Sequence, residues 1–359
     1  MSLGLDDVIA AETVLSHVDG EAGRLIVRGY DLEQIVGRRS YEEVLALLWA
    51  GLATPAIDPD AMPAALGAAR VHAFGTLVPR LGATDGLGAV EALRASLALI
   101  PDDDPTPAHV LATAATAVLV AAIGRRAEGR SPVAPDPSLG HAADFLRMLR
   151  GSPAPAAHAR AFDAYLVSVA DHGLNASTFA ARVVASTRAG LPSAVVAGLC
   201  ALKGPLHGGA PGPVLDMLDA IGTEANITPW MAAALDRGDR LMGFGHRVYR
   251  VRDPRADVLK AVVTGLRGET NRIRFAEQVE ATALRLLAER RQARRLDTNV
   301  EFYTALLLEA LSLPRALFTP AFAMGRVGGW CGHVLEQERS RRIIRPQSRY
   351  LGPWPRQAA

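Results

Sequence analysis

The run His109–Gly124, HVLATAATAVLVAAIG, restricts the fold more than any other stretch of the chain. It carries no Asp, Glu, Lys or Arg, and only Thr113 and Thr116 interrupt its apolar middle. It falls short of the ~20 residues that cross a bilayer, so it reads as a buried helix, with Pro107 near its first turn and Gly124 past its end. The rest of the chain offers helices to surround it. Ala and Leu dominate, and alternating β-branched stretches long enough for a sheet are scarce, so the class is mainly α. SYEEVLALLWAG opens with a capping box, Ser40 accepting from the Glu43 amide while Glu43 reaches back, and Gly51 closes it. HAADFLRMLRG ends in the same way at Gly151. One hairpin is expected, in TVLSHVDGEAGRLIVRGY, where Asp19-Gly20 supplies the turn between two short strands.

Proline-rich punctuation at 53–63, 130–138 and 152–157 marks surface loops within a helical domain. No repeat and no low-complexity tract stands out beyond general alanine richness. A shift in character follows residue 206, with Gly-rich turns and charged helices. We therefore expect residues 1–206 and 307–359 to form a large helical domain and 207–306 a smaller one.

Charge narrows the function. Lys and Arg number 39 against 37 for Asp and Glu, a net +2, which gives no global field for nucleic acid or an anionic membrane. Cys200 and Cys331 form no disulfide framework and have no CxxC partner, so both read as packed thiols of a reducing compartment. The acidic pair in MSLGLDDVIAAE is unlike an export signal, and a cytoplasmic location is expected.

Basic chemistry is instead local. In LMGFGHRVYRVRDPRA, residues 241–256, Gly243 and Gly245 leave backbone amides open ahead of His246, and Arg247, Arg250, Arg252 and Arg255 outnumber Asp253 and Asp257. Guanidiniums in excess invite a carboxylate or phosphate. No strand precedes this GxG and its third glycine is missing, which excludes a dinucleotide fold. His172 stands before a helix that Asn175 or Ser177 caps, and His207 sits among glycines and prolines in GPLHGGAPGPV, where a ligand can approach the main chain. Glu301 heads an apolar helix in TNVEFYTALLLEAL. His333 and Glu336 lack a third ligand, so no metal is expected. Among the C-terminal arginines, Arg326 and Arg345 have glycine and proline neighbours that shape their backbones.

Taken in order, HGLNASTFAARVVAST, GPLHGGA, GFGHRVYRVRDPRA, NVEFYTALL and GRVGGWCGHVLEQ resemble the citrate synthase family, in its bacterial short-chain form that includes 2-methylcitrate synthases. The resemblance covers nearly the whole chain. It implies a two-domain helical fold with a small N-terminal β-hairpin, acting as a homodimer on acetyl-CoA and oxaloacetate with no tightly bound cofactor. By the same resemblance His207, His246 and Glu301 are catalytic: His207 steadies the thioester oxygen, His246 polarises the ketone and Glu301 is the base. His172, Arg255 and Arg326 hold oxaloacetate, Arg345 reaches in from the partner subunit, and Arg250 contacts CoA beside Gly243 and Gly245. Two positions depart from the family pattern: Glu301 stands where aspartate is usual, adding roughly 1.5 Å of reach, and Pro211-Gly212 replaces an Asn-Glu or Asn-Gln pair. The alternatives are a 2-methylcitrate synthase using propionyl-CoA and, from another class, a non-catalytic CoA-binding helical dimer.

Overall fold

The computed structural model describes residues 8–208, 211–246, 248–266, 271–290 and 296–354. An antiparallel sheet comes first, β1 (Ser16–Asp19), β2 (Arg24–Val27) and β3 (Tyr30–Asp31), paired in that order with Ser16 opposite Val27 and Ile26 opposite Asp31. The expected hairpin is there, but its turn is longer than Asp-Gly. Asp19 Oδ1 accepts from the Glu21 and Ala22 amides at 3.1 and 2.8 Å, and the chain returns through Gly23 at φ +65°. The third strand has no counterpart in the sequence reading.

Helices make up nearly all of the rest. The first half holds α1 (Leu32–Ile35), α2 (Tyr41–Trp49), α3 (Met62–Leu77), α4 (Ala89–Leu97), α5 (Ala108–Ala127), α6 (His141–Arg150) and α7 (Ala156–Val169). The second holds α8 (Ala176–Ser186), α9 (Leu191–Leu202), α10 (Pro211–Ile221), α11 (Ile227–Asp236), α12 (Pro254–Thr264), α13 (Asn271–Arg290), α14 (Val300–Ala310) and α15 (Phe318–Ser340). The Ser40–Glu43 capping box forms at 3.2 and 2.6 Å, and Gly151 ends α6 at φ +91°.

Helix α5 is buried from His109 to Gly124, among α3, α6 and α15. Two expectations about it need correction. The helix does not stop at Gly124 but runs on through Arg125 and Arg126, because Leu317 and Leu149 lie where a Gly124 side chain would begin and fix a close helix crossing there. At 20 residues it is therefore long and apolar enough to cross a membrane, yet most of it is buried inside the protein. Nor are both cysteines packed: Cys331 is buried and Cys200 on α9 is exposed.

Helix α15 is the second axis of the core, and glycine lets it approach α7. A Cβ at Gly325 would lie 3.1 Å from Leu166 O, and one at Gly329 would lie 2.2 Å from Ala170 O. That approach seats Arg326 at the end of α7, where its Nε donates to Val169 O at 2.6 Å.

Since a backbone carbonyl cannot swing aside as a flexible side chain can, Gly329→Ala should lower stability by about 1–3 kcal/mol. Gly75→Ala on α3, where a new methyl meets nothing within 4 Å, should raise it by about 0.4–1 kcal/mol. Paired thermal melts check the contrast; equal melting temperatures would contradict it.

Candidate active site

The site is built at one junction. The loop before α12 and the loop before α14 clasp each other: Phe244 bridges Thr298, the Gly245 amide donates to Asp297 O at 2.7 Å, the Asn299 amide donates to Gly243 O at 2.9 Å, and Asn299 Nδ2 donates to Gly245 O at 2.8 Å. Both glycines take φ +84°, a region closed to most side chains, and Phe302 occupies the space a Gly243 side chain would need. Packing thus accounts for both glycines, and the Gly245 amide is committed to the clasp. Asn299 also caps α14, its Oδ1 accepting from the Glu301 amide at 3.0 Å. His246 and Glu301 are in this way carried to the same place by two loops tied together.

Beneath the clasp lies Glu280 on α13. Its carboxylate receives Arg252 at 2.9 Å, Lys260 at 2.8 Å, Thr298 at 2.7 Å and the Tyr303 hydroxyl at 2.5 Å. Burial opposes ionisation, but these four partners outweigh it and hold the carboxyl down at about 2. Counting only the nearby aspartates underestimates the acids available to this arginine run, because Glu280 arrives from 28 residues beyond Arg252.

The remaining arginines divide. Arg255 makes a two-pronged pair with Asp253, at 3.0 and 2.8 Å, both buried. Arg250 is exposed, 3.6 Å from Glu21, and its amide donates to Gly20 O at 2.8 Å, so it stands at the rim beside the hairpin turn. Arg247 lies outside the described residues.

Three histidines meet here. His246 Nδ1 accepts the Val248 and Tyr249 amides, each at 3.1 Å. In the neutral ring the proton then belongs on Nε2, so the 3.4 Å approach of Arg255 Nη2 is a contact between two donors, and Nε2–H is the group turned to a ligand oxygen. His172 Nε2 meets the Tyr249 hydroxyl at 3.1 Å, and its ring lies edge-on to His246 with centroids 5.6 Å apart. Burial, then Arg255, holds the His172 imidazole well below its usual range. His207 comes in from the loop before α10, its Nε2 2.9 Å from Ser177 Oγ and 3.1 Å from Asn175 Oδ1. Burial, helped by Arg326 and Arg255, pulls it down to about 4, so the ring is neutral at physiological pH.

Ser177 has a choice of acceptor. Trp330 Nε1 donates to its oxygen at 3.1 Å, while its own proton can go to Asn175 Oδ1 at 2.7 Å or to His207 Nε2. When it turns to Nε2, the His207 proton resides on Nδ1; when Nε2 donates to Asn175 Oδ1 at 3.1 Å instead, Nδ1 is the acceptor.

Glu301 and Arg326 complete the group. Arg326 is buried, and its Nη2 has no hydrogen-bond partner among the described residues. Burial brings its guanidinium down to about 10, still charged at neutral pH. Glu301 is half-buried as a residue, but its carboxyl lies deep: burial pushes it up to about 7, against the pull of Arg255 and Arg326 and with a push from Asp253. Five of the residues expected to act on substrate (His172, His207, His246, Arg255 and Glu301) thus share one electrostatic cluster with Arg326. Arg345 does not join it within one chain. It is exposed on the segment after α15, which is tied down nearby by the Ile344 amide donating to Ser186 Oγ at 3.0 Å. His333 packs between Arg182 (3.0 Å) and Asp171 (3.2 Å), below the site.

Residues 4–347 match the family described as "Citrate synthase, C-terminal domain". The chain belongs to the citrate synthase family. It is 41% identical to a citrate synthase of Haloferax volcanii over 97% of this chain and 95% of that protein. It is 34% identical to a 2-methylcitrate synthase of Mycobacterium tuberculosis, covering 97% and 90%. Among solved structures it superposes on the citrate synthase of Thermoplasma acidophilum, determined as a ternary complex with carboxymethyl coenzyme A and oxaloacetate, with TM-score 0.87 and 27% identity over 100% and 98% of the two chains. The mainly α fold with a small N-terminal sheet, expected from the five motifs, is the fold shared with these neighbours.

The charge arrangement has a direct readout. Ring resonances of His207, assigned by their loss in His207→Gln, should stay those of a neutral imidazole from pH 8 down to about 5, because its protonation lies at about 4. A midpoint near 6.5 would mean that the ring is solvated and the burial argument fails.

Proposed function

We propose that the protein condenses acetyl-CoA with oxaloacetate and hydrolyses the resulting thioester to citrate and CoA. The observation that carries this reading is the half-buried Glu301, poised at about 7, in one cluster with two neutral imidazoles, His246 and two buried guanidiniums. An acetyl thioester methyl is a very weak carbon acid, so it needs a base and an oxygen-side donor acting together. Glu301 takes the methyl proton, the C–H electron pair becomes the enol double bond, and His207 Nδ1–H, set by Ser177, steadies the thioester oxygen. The new carbon nucleophile attacks the ketone, whose oxygen is polarised by His246 Nε2–H. Water then cleaves the thioester. General-base help is worth ~100 to ~10,000-fold and a fixed donor on the enolate oxygen ~100 to ~1,000-fold, so neither alone suffices.

The dicarboxylate would lie against Arg255, Arg326 and His172, its charges answering the uncommitted Arg326 Nη2. CoA would enter past Arg250 at the rim, where Gly243 and Gly245 shape the turn. We further propose a homodimer in which Arg345 enters the neighbouring site. Its exposed position, and the exposed Ile343, Leu351 and Trp354 on the same tail, support that reading. Segment 207–306 would then act as the small domain that closes over the substrates. Two unpaired cysteines, one exposed, fit a reducing cytoplasm.

The second reading, 2-methylcitrate synthesis, is favoured by the 34% identical mycobacterial relative. One methylene is worth only ~1 to 3 kcal/mol of discrimination. The ratio of kcat/KM for acetyl-CoA and propionyl-CoA separates the two.

The condensation itself is tested by Glu301→Gln, which keeps size and hydrogen bonding but cannot accept a proton. CoA release should fall by ~100-fold or more with oxaloacetate affinity little changed. Near-parental turnover would exclude Glu301 as the base.

A further inference from the structure

Of the buried tyrosines described, three have settled hydroxyls: Tyr41 donates to Met324 O and Gly325 O, Tyr249 meets His172, and Tyr303 donates to Glu280. Tyr165, on α7, is the exception. Its side chain is wholly buried, yet its hydroxyl has no hydrogen-bond partner among the described residues. An unmatched buried hydroxyl costs about 1–3 kcal/mol, so its persistence calls for a use. The placement indicates one. Arg326 anchors to Val169 O, one turn beyond Tyr165 on the same helix, and α14, which carries Glu301, packs against α7 as well. The charges that act on the phenol are Glu301 and Arg326, the same two groups that act on each other.

We propose that Tyr165 is a positioning residue for Glu301, its hydroxyl donating to the ionised carboxylate through one bridging water. The inference rests on the reading of Glu301 as the base. The phenol is suited to this: burial, then the Glu301 charge, holds its pKa well above the usual range, so it remains a donor at every working pH. The charges that act on the Glu301 carboxyl are those of Arg255 and Asp253 at the α12 start and of Arg326 on α15, and Glu301 acts in turn on Tyr165 of α7. The arginines are needed by the dicarboxylate substrate, and Asp253 repels. That leaves Tyr165 as the neutral donor able to steady the carboxylate while oxaloacetate occupies the guanidiniums. No sequence motif marks this role, because Tyr165 falls at an ordinary apolar position of a core helix.

The test is Tyr165→Phe, assayed for kcat/KM of acetyl-CoA at saturating oxaloacetate across pH. Loss of a donor to the carboxylate raises its pKa, so the acid limb should move up by about one pH unit. Over the same series kcat should fall about tenfold, as a loosened base requires, with the oxaloacetate KM within about twofold. A purely structural role would leave the limb in place. An unmoved limb with parental kcat overturns the inference, and so does a raised oxaloacetate KM with an unmoved limb, since the hydroxyl would then serve the substrate. Should Tyr165→Phe not fold, replacement of Tyr165 by 3-fluorotyrosine, a stronger donor of nearly equal size, should move the limb down; an unmoved limb there also overturns it. The parent, assayed in parallel, separates the two readings: a parent that releases no CoA overturns the condensation, whereas a working parent whose limb ignores Tyr165 overturns this inference alone.

Discussion

Asp253 holds the site together. It is buried, and its two oxygens accept from the Arg255 amide (3.0 Å), Arg255 Nε (3.0 Å), Arg255 Nη2 (2.8 Å) and the Val300 amide (3.3 Å). One carboxylate therefore caps α12, fixes the guanidinium that faces His246, and ties down the first turn of α14, where Glu301 begins. Taking away one partner of such a buried pair strands the other charge, at a cost of about 3–5 kcal/mol. The same negative charge pushes the Glu301 carboxyl upward, so the residue that orders the site also tunes the group proposed as its base.

The cluster as a whole balances opposed demands. The dicarboxylate ligand proposed here needs positive charge, which Arg255 and Arg326 would supply from buried positions. A base needs a proton affinity matched to neutral pH, which those guanidiniums would depress. Burial decides the outcome, carrying Glu301 to about 7 in spite of them. Burial likewise keeps His172 and His207 neutral beside two cations. Neutral imidazoles can donate a hydrogen bond to a developing oxyanion without first releasing a proton to solvent.

Much of this was legible in the sequence, for physical reasons. Helices read well because capping is local: the Ser40–Glu43 box and the Gly151 terminus involve residues within a few positions of each other. The histidines and Glu301 could be picked out because glycine and proline surround them or because they head a helix, whereas Arg255 was singled out from its neighbouring arginines by the family resemblance alone. What could not be read depends on distant packing. Helix α5 continues past Gly124 because Leu317 and Leu149 close on it, Glu280 neutralises an arginine far away in the chain, and Tyr165 belongs to the site only through the α7–α14–α15 junction. Arg345 stands apart: its place at a site came from the resemblance alone, and in this chain it is exposed on the segment after α15.

All of this turns on one carboxyl group lying in a protein interior that raises its pKa to neutrality. The direct measurement is the carboxyl carbon shift of Glu301 against pH in protein labelled with δ-13C glutamate, the signal assigned by its absence in Glu301→Gln. A midpoint near 7 is the result that burial beside Asp253 predicts. A midpoint near 4.5, the value of an ordinary glutamate, would mean that the group is solvated and that the base has been placed on the wrong residue.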